Sequence, residues 1–205
     1  MLSSKKTGRI ALFGVFTALA FILGFIESLL PSFTGIPGVK AGFANIVTMA
    51  ALYLFSGPTS SSKQQRPGQD LSIGETAGSP GIPKETALEL HPTFTGYISA
   101  LAISTVRILL GGISYSGMNA MLYGLAGAVV SLTVMFLLSR LRIFSITAIS
   151  VAGGTAHNLA QLFIAYLMLG NAVVYYLPVL IISGLAAGII IGVISAALIR
   201  RLSFN

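Results

Sequence analysis

Six apolar runs, two of them short, constrain this chain more than any other feature of its sequence. A membrane-spanning helix needs about 20 mainly apolar residues. The chain is 55% hydrophobic and 8% charged, whereas a soluble domain carries roughly 25% charged residues. The sequence therefore predicts an all-α integral membrane protein with six transmembrane helices. The predicted helices cover residues 10–30, 41–55, 97–113, 119–138, 144–170 and 174–199.

Residues 56–92 separate the second run from the third and differ from both in composition. They are rich in Ser, Gly, Pro and Gln, and they contain four of the five acidic residues of the chain. Such a segment buries too little apolar surface to offset the entropy of ordering it. We expect a disordered loop within a single membrane domain that extends over residues 1–205.

The basic residues indicate how the helices are oriented. If both termini lie in the cytoplasm, ten of the twelve basic residues fall on the cytoplasmic side. These ten are Lys5, Lys6, Arg9, Lys63, Arg66, Lys84, Arg140, Arg142, Arg200 and Arg201. This excess is typical of cytoplasmic loops, so we expect a multi-pass protein of a prokaryotic plasma membrane whose long loop is cytoplasmic. The net charge of +7 is then a topology signal, and no nucleic-acid partner is expected.

The fifth run contains a polar stretch, Gly153 to Gln161, in the middle of an apolar segment. His157, Asn158 and Gln161 share one face of a helix. Unpaired polar groups in hydrocarbon cost several kcal/mol each, so these side chains must face protein or a wet cavity. Two interpretations stay open: a polar contact that holds helices together, or a ligand site.

Other polar residues are predicted to lie in the same, outer half of the membrane. They are Glu27, Lys40, Asn45 and Arg107. Arg107 either forms a salt bridge with Glu27 or holds an anion together with Lys40 and the start of the second helix. His157 either donates to that anion or bonds a neighbouring helix. Because these groups cluster on one side of the membrane, we favour the ligand site.

Small residues recur every four positions in three of the predicted helices. Such rows let helix backbones approach closely. For the fourth helix and for Gly184, Gly188 and Gly192 of the sixth, packing within the bundle is favoured. For Gly14 and Ala18 of the first helix, contact with another subunit is about as well supported.

Several blocks of sequence resemble one membrane protein family. They are residues 27–31, 37–47, 107–112, 156–161 and 176–178. The Pro-Gly-Val-Lys block that ends at Lys40, and the block of His157, Asn158 and Gln161, are specific. The chain resembles the Gx transporter family, which is also catalogued as heptaprenyl diphosphate synthase component I. The resemblance covers nearly all of the chain except residues 56 to about 94, where this loop is longer than the family pattern implies.

That family in turn resembles the substrate-binding S components of energy-coupling factor transporters. The resemblance implies a six-helix bundle that holds a vitamin or precursor near the outer face. It also implies docking on a coupling subunit and two ATPases through small residues of the first helix, here Gly14 and Ala18. The first functional hypothesis is therefore the substrate-binding subunit of an uptake transporter for a small anionic compound.

The family's other name implies a second hypothesis, a membrane accessory of prenyl diphosphate or quinone synthesis. Prenyl diphosphate synthases hold magnesium through aspartate-rich motifs, and this chain has one aspartate, Asp70. It has no Walker A motif for ATP, and no cysteine for a thiolate metal site. We therefore expect no catalysis, cofactor or metal in this chain. Co-purified ATPases would favour the transporter, and a co-purified soluble prenyltransferase would favour the accessory.

Overall fold

The computed structural model of the protein describes residues 2–29, 43–56, 92–141 and 143–203. These residues form six α-helices and two short helical turns and contain no strand, which confirms the all-α fold class for this part of the chain. The helices are α1 (Leu2–Leu29), α2 (Phe43–Leu54), α3 (Phe94–Gly111), α4 (Gly117–Arg140), α5 (Ile146–Leu169) and α6 (Leu177–Ser203). Lys40, and the predicted loop except for Ser56 and Pro92, lie outside the described residues.

Three helical stretches in the described part are long and apolar enough to cross a membrane: Thr7–Leu29, Phe94–Arg140 and Ile146–Ile199. The second and third contain 47 and 54 residues, and each is interrupted near its middle. A π-helical turn, Gly112–Ser116, separates α3 from α4, and a 3-10 segment, Gly170–Tyr176, separates α5 from α6. These features support a helical membrane protein, and the number of six crossings stays a prediction.

Contacts across the first interruption show that α3 and α4 form an antiparallel hairpin. The Tyr97 hydroxyl lies 3.1 Å from Thr133 Oγ1 at one end. At the other end, a Cβ added to Gly124 would stand 3.2 Å from Ile108 Cγ2. Gly117 follows the π-helical turn at φ +81°, a conformation that glycine adopts without strain.

The α5–α6 hairpin is packed through glycines. A Cβ on Gly188 would lie 2.6 Å from Val151 Cα, and one on Gly192 would lie 2.8 Å from Thr147 Cα. A Cβ on Gly184 would lie 3.1 Å from Thr155 Cα, a slightly longer but still tight contact. The three glycines therefore pack within the bundle, as their four-residue spacing favoured, and let two backbones approach closely.

Helix α2 forms the centre of the bundle. Met49, Ala50, Ala51 and Leu52 are fully buried, and Thr48 Oγ1 lies 3.0 Å from Ser104 Oγ of α3. Its 12 residues extend about 18 Å at a rise of ~1.5 Å per residue. That is less than the ~30 Å hydrocarbon core. Because neighbouring helices enclose α2, its short length exposes little backbone to lipid.

All six helices start at residues other than the predicted ones, and for α3 and α5 an N-cap residue explains the observed start. Thr93 Oγ1 accepts a hydrogen bond from Gly96 N at 3.4 Å, and Ser145 Oγ accepts one from Ala148 N at 3.2 Å. Thus α3 begins at residue 94 instead of 97, and α5 begins at 146 instead of 144. A capping oxygen satisfies one N–H of the first turn, whereas apolar runs mark only the part of a helix suited to lipid.

Candidate functional site

Three polar side chains meet at the end of the bundle where α1 and α3 terminate. Gly24 of α1 has no side chain, and neighbouring groups occupy that space. A Cβ built there would lie 2.9 Å from the Tyr115 hydroxyl and 3.6 Å from Arg107 Nη1. One turn further along α1, Glu27 is 6% exposed. The close approach at Gly24 therefore brings α1, α3 and the π-helical turn together around Arg107.

Arg107 interacts electrostatically with Glu27 and with Tyr115. A guanidinium carries five N–H donors, and a carboxylate that binds it in the bidentate mode accepts two of them. The Nε atom of Arg107 is buried and has no hydrogen-bond partner among the described residues. Glu27 therefore balances the charge of Arg107 but leaves donor capacity on its guanidinium.

A small cavity of about 70 Å³ adjoins this guanidinium. Its polar lining residues are Arg107, Tyr115, Ser116, Tyr123 and Gln161. They come from α3, the π-helical turn, α4 and α5, so they surround the space instead of lining one wall. Pockets for whole drug-sized ligands measure ~300–1,000 Å³, so this cavity takes one small polar group or a few water molecules.

His157 lies near this cavity but does not line it. Its imidazole packs against Gly127 of α4, where a Cβ would stand 2.6 Å from Nδ1. Nδ1 is buried and has no hydrogen-bond partner in the described structure. Arg107 is within electrostatic range of the ring. His157 is thus held by packing and lies one helical turn before Gln161, which does line the cavity.

Asn158 faces a different neighbour from His157. Its Nδ2 donates to Leu180 O at 2.8 Å and to Ser183 Oγ at 3.3 Å, both on α6. The amide therefore joins α5 to α6 and is directed away from Arg107. Asn45 lies in the first turn of α2, is partly buried, and does not line the cavity.

Of the seven predicted ligand-site residues, the structure thus brings Glu27, Arg107, His157 and Gln161 to one region. Sequence reasoning missed three polar contributors to the cavity, Tyr115, Ser116 and Tyr123, and of these Tyr115 lies nearest to α1. Tyr115 follows the third apolar run and reads as part of a connecting loop, yet the π-helical turn directs it back onto α1. The ring of Tyr115 packs on Phe21 and Phe25, with centroid distances of 5.7 and 5.5 Å. The sequence signal for this placement is the glycine pair Gly111 and Gly112 before the turn, and a glycine pair does not specify a π-helix.

A second, wider groove of about 670 Å³ runs along α5. Its lining includes Ala148, Ala152, Leu159 and, from α6, Leu185. Among the residues that the structure describes, none that lines this groove is ionisable, and none also lines the cavity at Arg107. The polar lining residues of the groove are Ser145, Thr147 and Thr155, and the hydroxyls of Ser145 and Thr155 bond the backbone of their own helix. The groove therefore offers no charged group to orient a ligand, so we centre the site on Arg107.

The fold and this site define an α-helical membrane protein with a buried, arginine-centred polar cluster. The family model of heptaprenyl diphosphate synthase component I matches residues 16–62 and 90–198, and the chain belongs to this family. The match confirms the family resemblance and includes Glu27, Arg107, Tyr115, His157 and Gln161. No curated protein and no solved structure matches the chain. The likeness to S components of energy-coupling factor transporters stays a prediction.

Proposed function

We propose that this protein is a non-catalytic membrane subunit that binds an anionic isoprenoid, of the prenyl diphosphate kind, for a partner enzyme of heptaprenyl diphosphate synthesis. The name of its family supports the pathway. The observation that carries the binding role is the buried Nε of Arg107, which has no acceptor among the residues that the structure describes, on a side chain that lines a cavity with four other polar residues.

The chemistry of the lining supports an anionic group. Arginine binds phosphate through two parallel hydrogen bonds and stays charged at any relevant pH. Tyr115 and Tyr123 offer hydroxyl donors, and Gln161 offers an amide. A volume of about 70 Å³ suits the head group alone, so an apolar tail would extend between the helices or into lipid. A membrane protein can bind such an amphiphile because it offers a polar site for the head group and an apolar environment for the tail.

The composition of the chain supports placing catalysis in a partner. Its single aspartate, Asp70, cannot form the aspartate-rich motif that prenyl diphosphate synthases use for magnesium. Within the part that the structure describes, no group of three or more His, Cys, Asp or Glu side chains can hold a metal ion. In the proposed complex, this chain binds the prenyl diphosphate and a soluble partner subunit catalyses bond formation.

Calorimetric titration of farnesyl diphosphate into the protein in a neutral detergent tests the binding role. We expect saturable binding that weakens in Arg107→Gln and survives in Arg140→Gln, a control at an exposed arginine that contacts Phe136 at 4.8 Å. Affinity purification from the native membrane should also recover a prenyltransferase. Absence of saturable binding by the unaltered protein would overturn the proposal.

A second candidate function is the substrate-binding subunit of an energy-coupling factor transporter. The observation that favours it is the exposed face of α1 around Gly14 and Ala18, where a Cβ on Gly14 would meet no atom of a described residue within 4 Å. Such a flat face allows another helix to approach closely. Recovery of a coupling subunit and two ATPases in the same purification, without a prenyltransferase, would support this function over the first.

A further inference from the structure

The hydroxyl of Tyr115 occupies a place that two glycines keep open. A Cβ on Gly24 would stand 2.9 Å from this hydroxyl, and a Cβ on Gly111 would stand 2.8 Å from it. Any side chain at either position would force the hydroxyl to move. The same Gly24 position lies 3.6 Å from Arg107 Nη1, so the phenol and the guanidinium are neighbours at the wall of one cavity.

The backbone around Tyr115 is also unusual. Residues Gly112–Ser116 form a π-helical turn, a rare feature that occurs often at functional sites. The turn places Tyr115 against Phe21 and Phe25 of α1, so the aromatic ring is held independently of its hydroxyl. A regular α-helix would carry residue 115 on a different face, because each residue advances the helix by about 100°.

We propose that Tyr115 is a ligand-binding residue and that, with Arg107, it makes the site selective for a phosphoryl group over a carboxylate. This inference rests on the proposed function, since it assumes that the cavity holds an anion. A carboxylate has two oxygens in one plane, and one guanidinium satisfies both. A phosphoryl group has further oxygens out of that plane, which need donors from other directions.

The lining supplies donors in that arrangement. Arg107 comes from α3, Tyr115 from the π-helical turn, and Gln161 from α5. Tyr115 thereby adds a neutral O–H donor from the side on which α1 packs. A hydroxyl donates to an anion without adding a charge that must be desolvated.

The test is calorimetric titration of Tyr115→Phe with farnesyl diphosphate and, separately, with farnesoic acid, a carboxylate with the same apolar chain. We expect affinity for the diphosphate to fall about tenfold or more, the effect of removing a hydrogen bond to a charged group. Affinity for the carboxylate should change less, so selectivity falls. Tyr97→Phe is the matched control, because it removes a tyrosine hydroxyl that contacts Thr133 elsewhere.

A double-mutant cycle with Gly24→Ala tests the geometry. In the unaltered protein the added methyl displaces the hydroxyl and weakens diphosphate binding. In the Tyr115→Phe background it should add no further loss, because the nearest remaining neighbour, Arg107 Nη1, is at an ordinary contact distance of 3.6 Å. Independent, additive losses would contradict the assignment.

The outcomes separate this inference from the proposed function. If the unaltered protein does not bind farnesyl diphosphate, both are overturned. If it binds, and Arg107→Gln weakens binding while Tyr115→Phe leaves affinity and selectivity intact, only the role of Tyr115 is overturned. Loss of selectivity in Tyr115→Phe, with Tyr97→Phe unchanged, supports both.

Discussion

His157 packs directly on the backbone of Gly127, so that a Cβ on Gly127 would lie 2.6 Å from both Cε1 and Nδ1 of the imidazole. The contact joins α5 to α4 beside the polar cluster. His157 can take this position because Gly127 has no side chain, so packing as well as the polarity of the imidazole determines where it lies. A polar residue in a membrane helix can therefore lie near a binding site because packing requires it there.

Gly127→Ala should lower the free energy of unfolding by about 1–3 kcal/mol, the range for overpacking a close-packed interior. Because the clash is with the imidazole, His157→Ala in the same chain should restore part of the loss. Thermal unfolding in detergent measures both effects. Gly14→Ala is the control, since the described part of the chain places no neighbour within 4 Å of that position. Equal stability of Gly127→Ala and this control would refute the contact.

Asn158→Ala should affect stability without affecting ligand affinity. The side chain donates to Leu180 O and Ser183 Oγ on α6, and hydrogen bonds between membrane helices contribute about 0.6–1.7 kcal/mol. The unliganded protein should unfold at a lower temperature, while calorimetry gives an unchanged Kd for farnesyl diphosphate. A weaker affinity for farnesyl diphosphate with unchanged stability would show that Asn158 belongs to the ligand site.

Single cysteines test the predicted orientation, since the native chain has none. Ile143, 78% exposed between α4 and α5, should be cytoplasmic, and Tyr175, 87% exposed between α5 and α6, should be outside. In intact cells an impermeant thiol reagent should label Tyr175→Cys but neither Ile143→Cys nor Ser61→Cys. The opposite pattern would invert the topology, and labelling of Ser61→Cys alone would show that the long polar segment is external.

Leucine at Gly14 or Ala18 tests whether the exposed face of α1 docks on a partner. If it does, Gly14→Leu and Ala18→Leu should block recovery of the native complex and leave the thermal stability of the isolated protein nearly unchanged, because a bulky side chain prevents close helix approach. Full recovery of the complex by both variants would exclude this face as a docking surface.

The helical class and much of the polar cluster were predictable from sequence, because both follow from the cost of polar groups in lipid. Apolar runs identified the helices, and Arg107, Glu27 and Gln161 were singled out since hydrocarbon excludes them. Lys40 stays a prediction outside the described residues. Periodicity predicts the face of a helix on which a residue lies but not the helix that this face contacts. The sequence therefore predicts the same ligand-site role for the neighbours His157 and Asn158. In the structure His157 contacts α4 and Asn158 contacts α6.

Tyr115 shows why the rest of the site was not predictable. Its position depends on a π-helical turn and on open space at Gly24 and Gly111. These are tertiary features, since a glycine indicates a close approach only once its neighbour is known. The short α2 is a related case, because the enclosure of its 12 residues depends on the neighbouring helices and cannot be read from its own sequence.

The central claim, that Arg107 binds the anionic ligand, is tested most directly by calorimetric titration of Arg107→Gln with farnesyl diphosphate. Glutamine keeps much of the size and hydrogen bonding of arginine but removes the charge. We predict a loss of about 2–5 kcal/mol in binding free energy, the range for removing one partner of a buried charge pair. Because Glu27 also loses its cation, the thermal stability of the unliganded protein should fall as well, so the Kd decides the claim. His157→Ala and Lys40→Ala should weaken binding by less.

The contrary result has a distinct pattern. If Arg107 only balances Glu27, then Arg107→Gln leaves that carboxylate buried without its cation and lowers the stability of the unliganded protein. Glu27→Gln in the same chain should then restore part of that stability. An unchanged Kd for farnesyl diphosphate in Arg107→Gln, together with this rescue, would contradict the account.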